Sequence, residues 1–429
     1  MNYVKSGIRK ESNHNTMNNS YATSGNSGPK VRSDCEMTLE LRSEGGIIID
    51  LKSKVAVLYG VSIKKQCIEI LNYFGINDAI LSIADSGALP FVIAARLESV
   101  VKKLINTELE YLPELLEENK YSTSAGRFRF SRLYIPGNTP SMMINAGLHS
   151  ADGIILDLED SVAPEKKDEA RILVRNALRQ VNFNGAERMV RINQGERGIK
   201  DLDSVVPHNV HLILIPKCED AVSVMNIENR ISEIKAKYGF TNQIYLMPII
   251  ETALGVEMAF EIARSAPGVV AIAVGLEDLT ADMGVARTSE GKETLYARTR
   301  IVNAARAAGI QPIDSVFSDT DDMEALRQNV ISSKALGFEG MGCIHPGQIP
   351  VIRQGFVPGV EEIEKSKRII LAFEEARSKG LGVVALGTKM IDPPVVARAQ
   401  KIIDHAVRLG LLAGNWINET PAELKQSDK

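Results

Sequence analysis

From residue 130 to about 355 the chain alternates strand-like and helix-like segments, and no other feature restricts its fold as much. RLYIPG, GIILDLED, MVRIN, LILIPK, IYLMPIIET, VVAIAVGLED, IQPIDSV and GMGCIHP read as strands. Amphipathic stretches such as PEKKDEARILVRNAL and YARTRIVNAARAAG lie between most of them. Strands alternating with helices argue for a parallel sheet, and eight such units suit a closed (β/α)8 TIM barrel, which uses about 250 residues.

The rest of the chain divides around this barrel, expected over residues 129–358. Residues 1–30, rich in Asn, Ser and Gly, are expected to be a disordered arm, because they carry too little apolar surface to order themselves. Residues 31–106 read as a small α+β unit. EMTLEL and GIIIDL are strands, VSIKKQCIEILNYFG is a helix with the stripe Ile63, Cys67, Ile70 and Leu71, AILSIAD is a strand, and a helix follows Pro90. Residues 107–128 lose periodicity and read as a linker. Two helical stretches around GTKMIDPP form an appendage over 359–415, and 416–429 is a tail.

The formal net charge is −4 with mixed signs, which argues against nucleic acid, whose binding needs clustered Lys and Arg. No apolar run approaches the ~18 residues of a membrane helix, so no membrane partner is expected. The N-terminus lacks the apolar core of a secretory signal. Four cysteines, far apart and without a CxxC pair, suit reduced thiols in a cytoplasmic protein.

In such barrels the chemistry sits at the C-terminal ends of the strands. These ends carry Asp157, Glu159 and Asp160; Arg191 and Asn193; Lys217; Glu251; Glu277 and Asp278; Asp314 and Ser315; and His345. Glu251 and Asp278 lie 27 residues apart (278 − 251), close to one βα repeat, so they leave adjacent strands ~4.8 Å apart. Both can reach one ion, and two carboxylates with open positions suit Mg2+. Glu251 follows the apolar MPII, where a cation would justify its position. Asp160 and Asp282 read instead as residues at helix starts. Arg191 in MVRIN either pairs with a barrel carboxylate or awaits an anionic substrate. Lys217 either belongs to the same cluster or is solvated on its loop, and His345 reads as a structural histidine.

RLYIPGNTP, GIILDLEDSVAPEKKDEAR, VRIN, LIPKCE, PIIETALG, VGLEDLTADMG, GFEGMGCIHPGQI and GVVALGTKMIDPPVV, in order over about residues 130–412, resemble the HpcH/HpaI aldolase–citrate lyase β-subunit family. That family also holds malyl-CoA and citramalyl-CoA lyases. The resemblance implies Mg2+ on the ETA glutamate and the G-x-E-D aspartate, here Glu251 and Asp278. It implies Arg191 as the substrate-binding arginine, with Arg132 and Gly275 as further substrate contacts. It implies Asp392 of MID as an acid–base residue presented by a C-terminal helical lid, often to a neighbouring subunit; read alone, Asp392 is an ordinary loop residue before Pro-Pro. Glu159 is expected to orient metal-bound water. One departure is Phe130, where the family often has an arginine before the first-strand serine.

Residues 36–105, and ADSGALPFVIAARLESVV above all, resemble the citrate lyase acyl carrier protein, or γ subunit. That family bears phosphoribosyl-dephospho-coenzyme A on a serine before its first strand, and Ser33 is the nearest match. Together the resemblances imply a Mg2+-dependent carbon–carbon lyase that cleaves a citryl thioester to oxaloacetate and an acetyl thioester. The acyl group would ride a carrier arm to which the linker gives reach. They imply a citrate lyase α subunit as partner and a homo-oligomer. The alternatives are citramalyl- or malyl-CoA cleavage on free thioesters, a non-catalytic carrier and assembly subunit, and a Mg2+-dependent phosphoenolpyruvate-type enzyme.

Overall fold

The computed structural model describes residues 21–387 and 389–419. The first unit is a four-stranded sheet in the order β1-β2-β4-β3, built from β1 (Tyr21–Gly25), β2 (Cys35–Leu41), β3 (Ile47–Ser53) and β4 (Ala79–Asp85). Its two helices are α1 (Ala56–Tyr73) and α2 (Pro90–Leu104). Alternation puts Cys35, Met37 and Leu39 of β2 and Leu81 and Ile83 of β4 inside. The buried face of α1 is the expected stripe Ile63, Cys67, Ile70 and Leu71. Gly75, with φ +73°, ends it in the left-handed conformation that glycine adopts without strain. The helix begins earlier than its pattern suggested, because Val57, Leu58 and Val61 in its first turns are exposed and follow no stripe.

The expected disordered arm is corrected over residues 21–30. Tyr21–Gly25 pairs antiparallel with β2, and Ser24 and Gly25 are buried by the neighbouring barrel, a gain no local composition can reveal. Residues 1–20, and 420–429 of the expected tail, lie outside the described residues.

The barrel strands are β5 (Ser131–Pro136), β6 (Gly153–Asp157), β7 (Glu187–Arg191), β8 (Leu212–Ile215), β9 (Tyr245–Ile250), β10 (Ala271–Val274), β11 (Gln311–Ile313) and β12 (Met341–Cys343). All their pairings are parallel. They run as one eight-stranded sheet from β11 through β5 to β12, and an isolated bridge between Asp314 and Met341 joins the remaining edges. Ile155, Met189, Leu212, Leu214, Met247, Ile249 and Ile313 fill the interior. A second apolar shell lies between strands and helices. The architecture is therefore the α/β class expected, a (β/α)8 barrel preceded by a small α+β domain.

The segment expected to act as a flexible linker is bound down. The Tyr111 N–H donates to Glu98 at 3.0 Å, Arg179 donates to the Pro113 carbonyl at 2.6 Å, and Tyr121 donates to the Ala186 carbonyl at 2.6 Å. Its reach is thus corrected: polar side chains of the barrel's outer helices satisfy its backbone, and sequence periodicity carries no record of that.

Buried ions seat α2 on the barrel helix Lys167–Gln180. Arg96, fully buried, donates to both Asp34 oxygens at 2.9 Å and to Asn138 Oδ1 at 3.0 Å, and stands 3.6 Å from Glu169. Ser24 donates to Glu169 at 2.8 Å. Lower down, Arg175 grips Glu98 through both terminal nitrogens at 2.8 and 2.7 Å.

The C-terminal helices Val360–Ser378 and Pro393–Arg408 pack on each other around their own cluster, including Ile369, Ile370 and Ile403, with a small hairpin between them. Among the described residues no helix is long and apolar enough to cross a membrane. All four cysteines are free and buried.

Candidate active site

At the C-terminal ends of the barrel strands opens a cavity of about 390 Å³. Arg191, at the end of β7, grips Asp157, at the end of β6, through two 2.7 Å hydrogen bonds. A third nitrogen of the same guanidinium lies 3.1 Å from Glu159. Burial opposes the charge of Asp157, yet Arg191 holds its carboxyl below the ordinary range. The two alternatives for Arg191 therefore meet: it pairs with a carboxylate and still lines the cavity. Its guanidinium carbon also sits 5.4 Å from the centre of the Tyr134 ring, a cation–π distance.

Glu251 follows β9 and is buried. The Lys217 backbone N–H donates to it at 2.9 Å. Burial pushes its carboxyl up to about 8 despite that hydrogen bond, and Asp278 adds to the rise. Asp278 stands in the first turn of the helix Leu276–Asp282, which the Ser315 hydroxyl anchors by accepting from the Leu276 N–H at 3.1 Å. Gly275 lies between the two acids in space: a Cβ there would come within 2.7 Å of Glu251 Oε2. The close approach of that turn to Glu251 thus depends on glycine.

These residues fit Mg2+. Two facing carboxylates, one buried and held from ionising by its surroundings, are the donor set a hard divalent cation compensates. Among the described residues no group of three or more His, Cys, Asp or Glu forms a metal cluster. Mg2+ does not require one, since it keeps waters and takes substrate oxygens.

Of the two readings of Lys217, the structure shows membership of the cluster and not solvation on its loop. Its ammonium lies 3.3 Å from Glu159, 3.4 Å from Asp160 and 3.6 Å from Asp278. Burial works against that charge, but the three carboxylates raise its pKa above the ordinary lysine range. A backbone φ of +47° aims it there, a left-handed turn that a non-glycine residue rarely adopts and that IPKCE does not announce. Burial in turn holds Glu159 above the ordinary carboxylate range despite Arg191 and Lys217. Asp282 accepts from the Ala253 N–H at 2.8 Å and so supports a neighbouring helix start. His345 is exposed, and its Nδ1 accepts from the Gly347 N–H at 3.1 Å.

The structure brings Arg191, Glu251, Asp278 and Gly275 together around this cavity, with Glu159 against Arg191 and Arg132 deep at its floor. Asp392 is not among them. It caps the helix Pro393–Arg408, accepting from the Val395 N–H at 3.2 Å. The far end of that helix rests under the barrel, where Arg408 bonds the Gly126 carbonyl and stacks on Phe128. Ser33 also lies outside the cavity. It is half-buried with φ +56°, and its N–H donates to the Ser86 carbonyl at 3.0 Å. Its neighbour Asp34 is tied through Arg96 to Asn138, in the loop that leaves β5 for the mouth.

The family described as HpcH/HpaI aldolase/citrate lyase matches residues 131–346, and the malonate decarboxylase delta subunit (MdcD) carrier family matches residues 25–104. Citrate lyase subunit beta of Leuconostoc mesenteroides subsp. cremoris is 38% identical over 298 residues, 68% of this chain and 99% of that protein. Mouse mitochondrial citramalyl-CoA lyase is 29% identical over 343 residues, 76% of this chain and 97% of its own length. A crystal structure of CitE from Mycobacterium tuberculosis, in complex with magnesium, acetoacetate and coenzyme A, superposes with a TM-score of 0.55 at 29% identity. It covers 66% of this chain and 99% of that one.

Proposed function

The chain belongs to the HpcH/HpaI aldolase/citrate lyase family, with a carrier domain ahead of its barrel, and is a carbon–carbon lyase; on that premise we propose that it cleaves a 3-hydroxyacyl thioester, citryl in the first place, by retro-Claisen chemistry. One observation carries the reading: Glu251 and Asp278, from adjacent strands, face each other beside the charged Arg191 in a single cavity.

Glu251 and Asp278 would hold Mg2+, which when bound supplies Lewis acidity toward the hydroxyl and carboxylate oxygens of the future keto acid. Arg191, fixed by Asp157, keeps a cation where negative charge develops. Glu159 would orient water beside the two acids, and Lys217 offsets part of the charge of Glu159, Asp160 and Asp278 when no substrate is present. The hydroxyl would give its proton to solvent water at the cavity, its oxygen would become the keto oxygen as the bond between the carbinol carbon and the thioester α-carbon breaks, and the electron pair would remain on the thioester as an enolate. The enolate carbon takes a proton, and oxaloacetate and an acetyl thioester leave. Asp392 is the proposed acid for that last proton. Its distance from this chain's own cavity supports delivery by a second copy, hence a homo-oligomer.

Ser33 is the proposed attachment point for phosphoribosyl-dephospho-coenzyme A, with a citrate lyase α subunit loading the arm. The cytoplasm is the proposed compartment, since the free, buried thiols suit a reducing one. The domain bounds are proposed as expected, except that the carrier domain starts at Tyr21. A second reading, citramalyl-CoA cleavage on the free thioester, is favoured by the similarity to the mouse citramalyl-CoA lyase. The test is oxaloacetate release from citryl-CoA at saturating Mg2+, in wild type and Asp278→Ala. An unimpaired variant refutes the metal assignment, and a wild type inactive on both thioesters refutes the lyase reading.

A further inference from the structure

Arg132, expected above only as a further substrate contact, has no assigned partner on the substrate. It is 1% exposed and points into the barrel from β5. Its in-register neighbours on both sides are glycines, Gly342 on β12 and Gly153 on β6, so no side chain from either strand flanks it. Among the described residues it makes no ion pair. Its Nε has no hydrogen-bond partner, and one terminal nitrogen reaches only the thioether sulfur of Met247 at 3.0 Å. The nearby acids are engaged elsewhere. Glu187 is gripped by Arg129 at 2.7 Å, Asp157 by Arg191 at 2.7 Å, and Asp314 is paired with Arg298.

A buried guanidinium without a carboxylate is expensive, and a fold keeps one where an anion arrives from outside. The cavity that holds Glu251, Asp278 and Arg191 reaches down to Arg132. We propose that Arg132 is the receptor for a second carboxylate on the substrate's hydroxyacyl part, so that the pocket selects a branch ending in carboxylate over a methyl or hydrogen. This rests on the lyase reading above and sharpens it. The favoured substrates are citryl thioesters, and the keto-acid product is a dicarboxylate. With a methyl branch the guanidinium stays unpaired, and sites built around a buried polar partner reject analogues lacking it by about 10⁴-fold or more.

The experiment measures kcat/KM for citryl-CoA and citramalyl-CoA with wild type and Arg132→Met, which removes the charge at similar length. Wild type is expected to prefer citryl-CoA by at least about a thousandfold, and the variant to lose at least about a hundredfold of that preference. Parallel losses on both thioesters, or an unchanged ratio, overturn the proposal. Activity of wild type on neither thioester fails the lyase reading instead, and calorimetry then still decides about Arg132. Wild type with Mg2+ binds oxaloacetate more tightly than pyruvate, and the difference shrinks in Arg132→Met. Equal affinities in the wild type overturn the proposal. Should Arg132→Met not fold, the wild-type preference and Arg132→Lys, expected to retain part of it, serve the same test.

Discussion

Replacing Arg96 by Met should loosen the carrier domain from the barrel without touching the cavity. Arg96 lies at the centre of the interface, fully buried, with Asp34 at 2.9 Å and Glu169 at 3.6 Å. Removing one member of a buried ion network costs about 3–5 kcal/mol, because the partner's charge is left behind uncompensated. Most of that falls on Asp34, which belongs to the carrier domain itself, and Glu169 keeps Lys166 at 3.0 Å and Lys103 at 3.3 Å. What crosses the interface is chiefly the hydrogen bond from Arg96 to Asn138, about 1.5 kcal/mol for a charged donor, so at 1.4 kcal/mol per decade the undocked population rises roughly tenfold. Hydrogen exchange read by mass spectrometry measures this directly. Amides of β1, α2 and the helix Lys167–Gln180 should exchange faster in the variant, while those of β8 and β9 should not. Arg42→Met is the control: Arg42 pairs with Glu40 at 3.3 Å on the surface, where such a pair contributes ~0–1 kcal/mol. Cleavage of free citryl-CoA should be preserved in Arg96→Met, and turnover through the carrier should fall. Unchanged protection at the interface would refute the view that this network holds the domains together.

Asp278→Ala should lower kcat/KM at least about a hundredfold, with weakened Mg2+ binding by calorimetry, since it removes one of the two proposed carboxylate ligands. Arg191→Lys should also lose at least about a hundredfold in kcat/KM, because an ammonium cannot make both bonds to Asp157 and also reach Glu159. His211 is buried, and burial together with Arg188 pushes its pKa down to about 3. The unfolded chain takes up that proton near pH 6.5 and the folded chain only near 3, so stability is full above 6.5 and falls as pH drops between them. Midpoints of thermal unfolding should show that slope, and His211→Asn should flatten it.

The barrel was legible because its signal is repeated. GIILDLED, LILIPK, IYLMPIIET and VVAIAVGLED carry branched residues in a row, and β6, β8 and β10 bury every position. The proximity of Glu251 and Asp278, the proposed metal pair, was legible for the same reason: they sit at one phase of that repeat, so it follows from strand order. Lys217 was not, because its position depends on one left-handed residue after β8. Nor was β1, whose sequence YATSG carries no apolar alternation and whose burial comes from Glu169 and Lys166, more than a hundred residues away. Local pattern encodes local periodicity; long-range polar partners leave no period behind.

The docked carrier changes what the fusion can achieve. With a loose tether, the domain would search a volume set by linker length, and effective concentrations near millimolar would follow. Here the segment from Tyr111 to Thr123 is hydrogen-bonded along the barrel, and Arg96 ties the residue after Ser33 to the loop after β5. Only an arm on Ser33 would remain free to move, so the ordering cost of bringing carrier to barrel is met once, on folding, and not in every cycle. With the proposed arm on Ser33, a rigid dock would bring the thioester in on the side of Asn138 and Met142 and would leave the rim of Asp278 and Glu277 to the proposed lid of another copy.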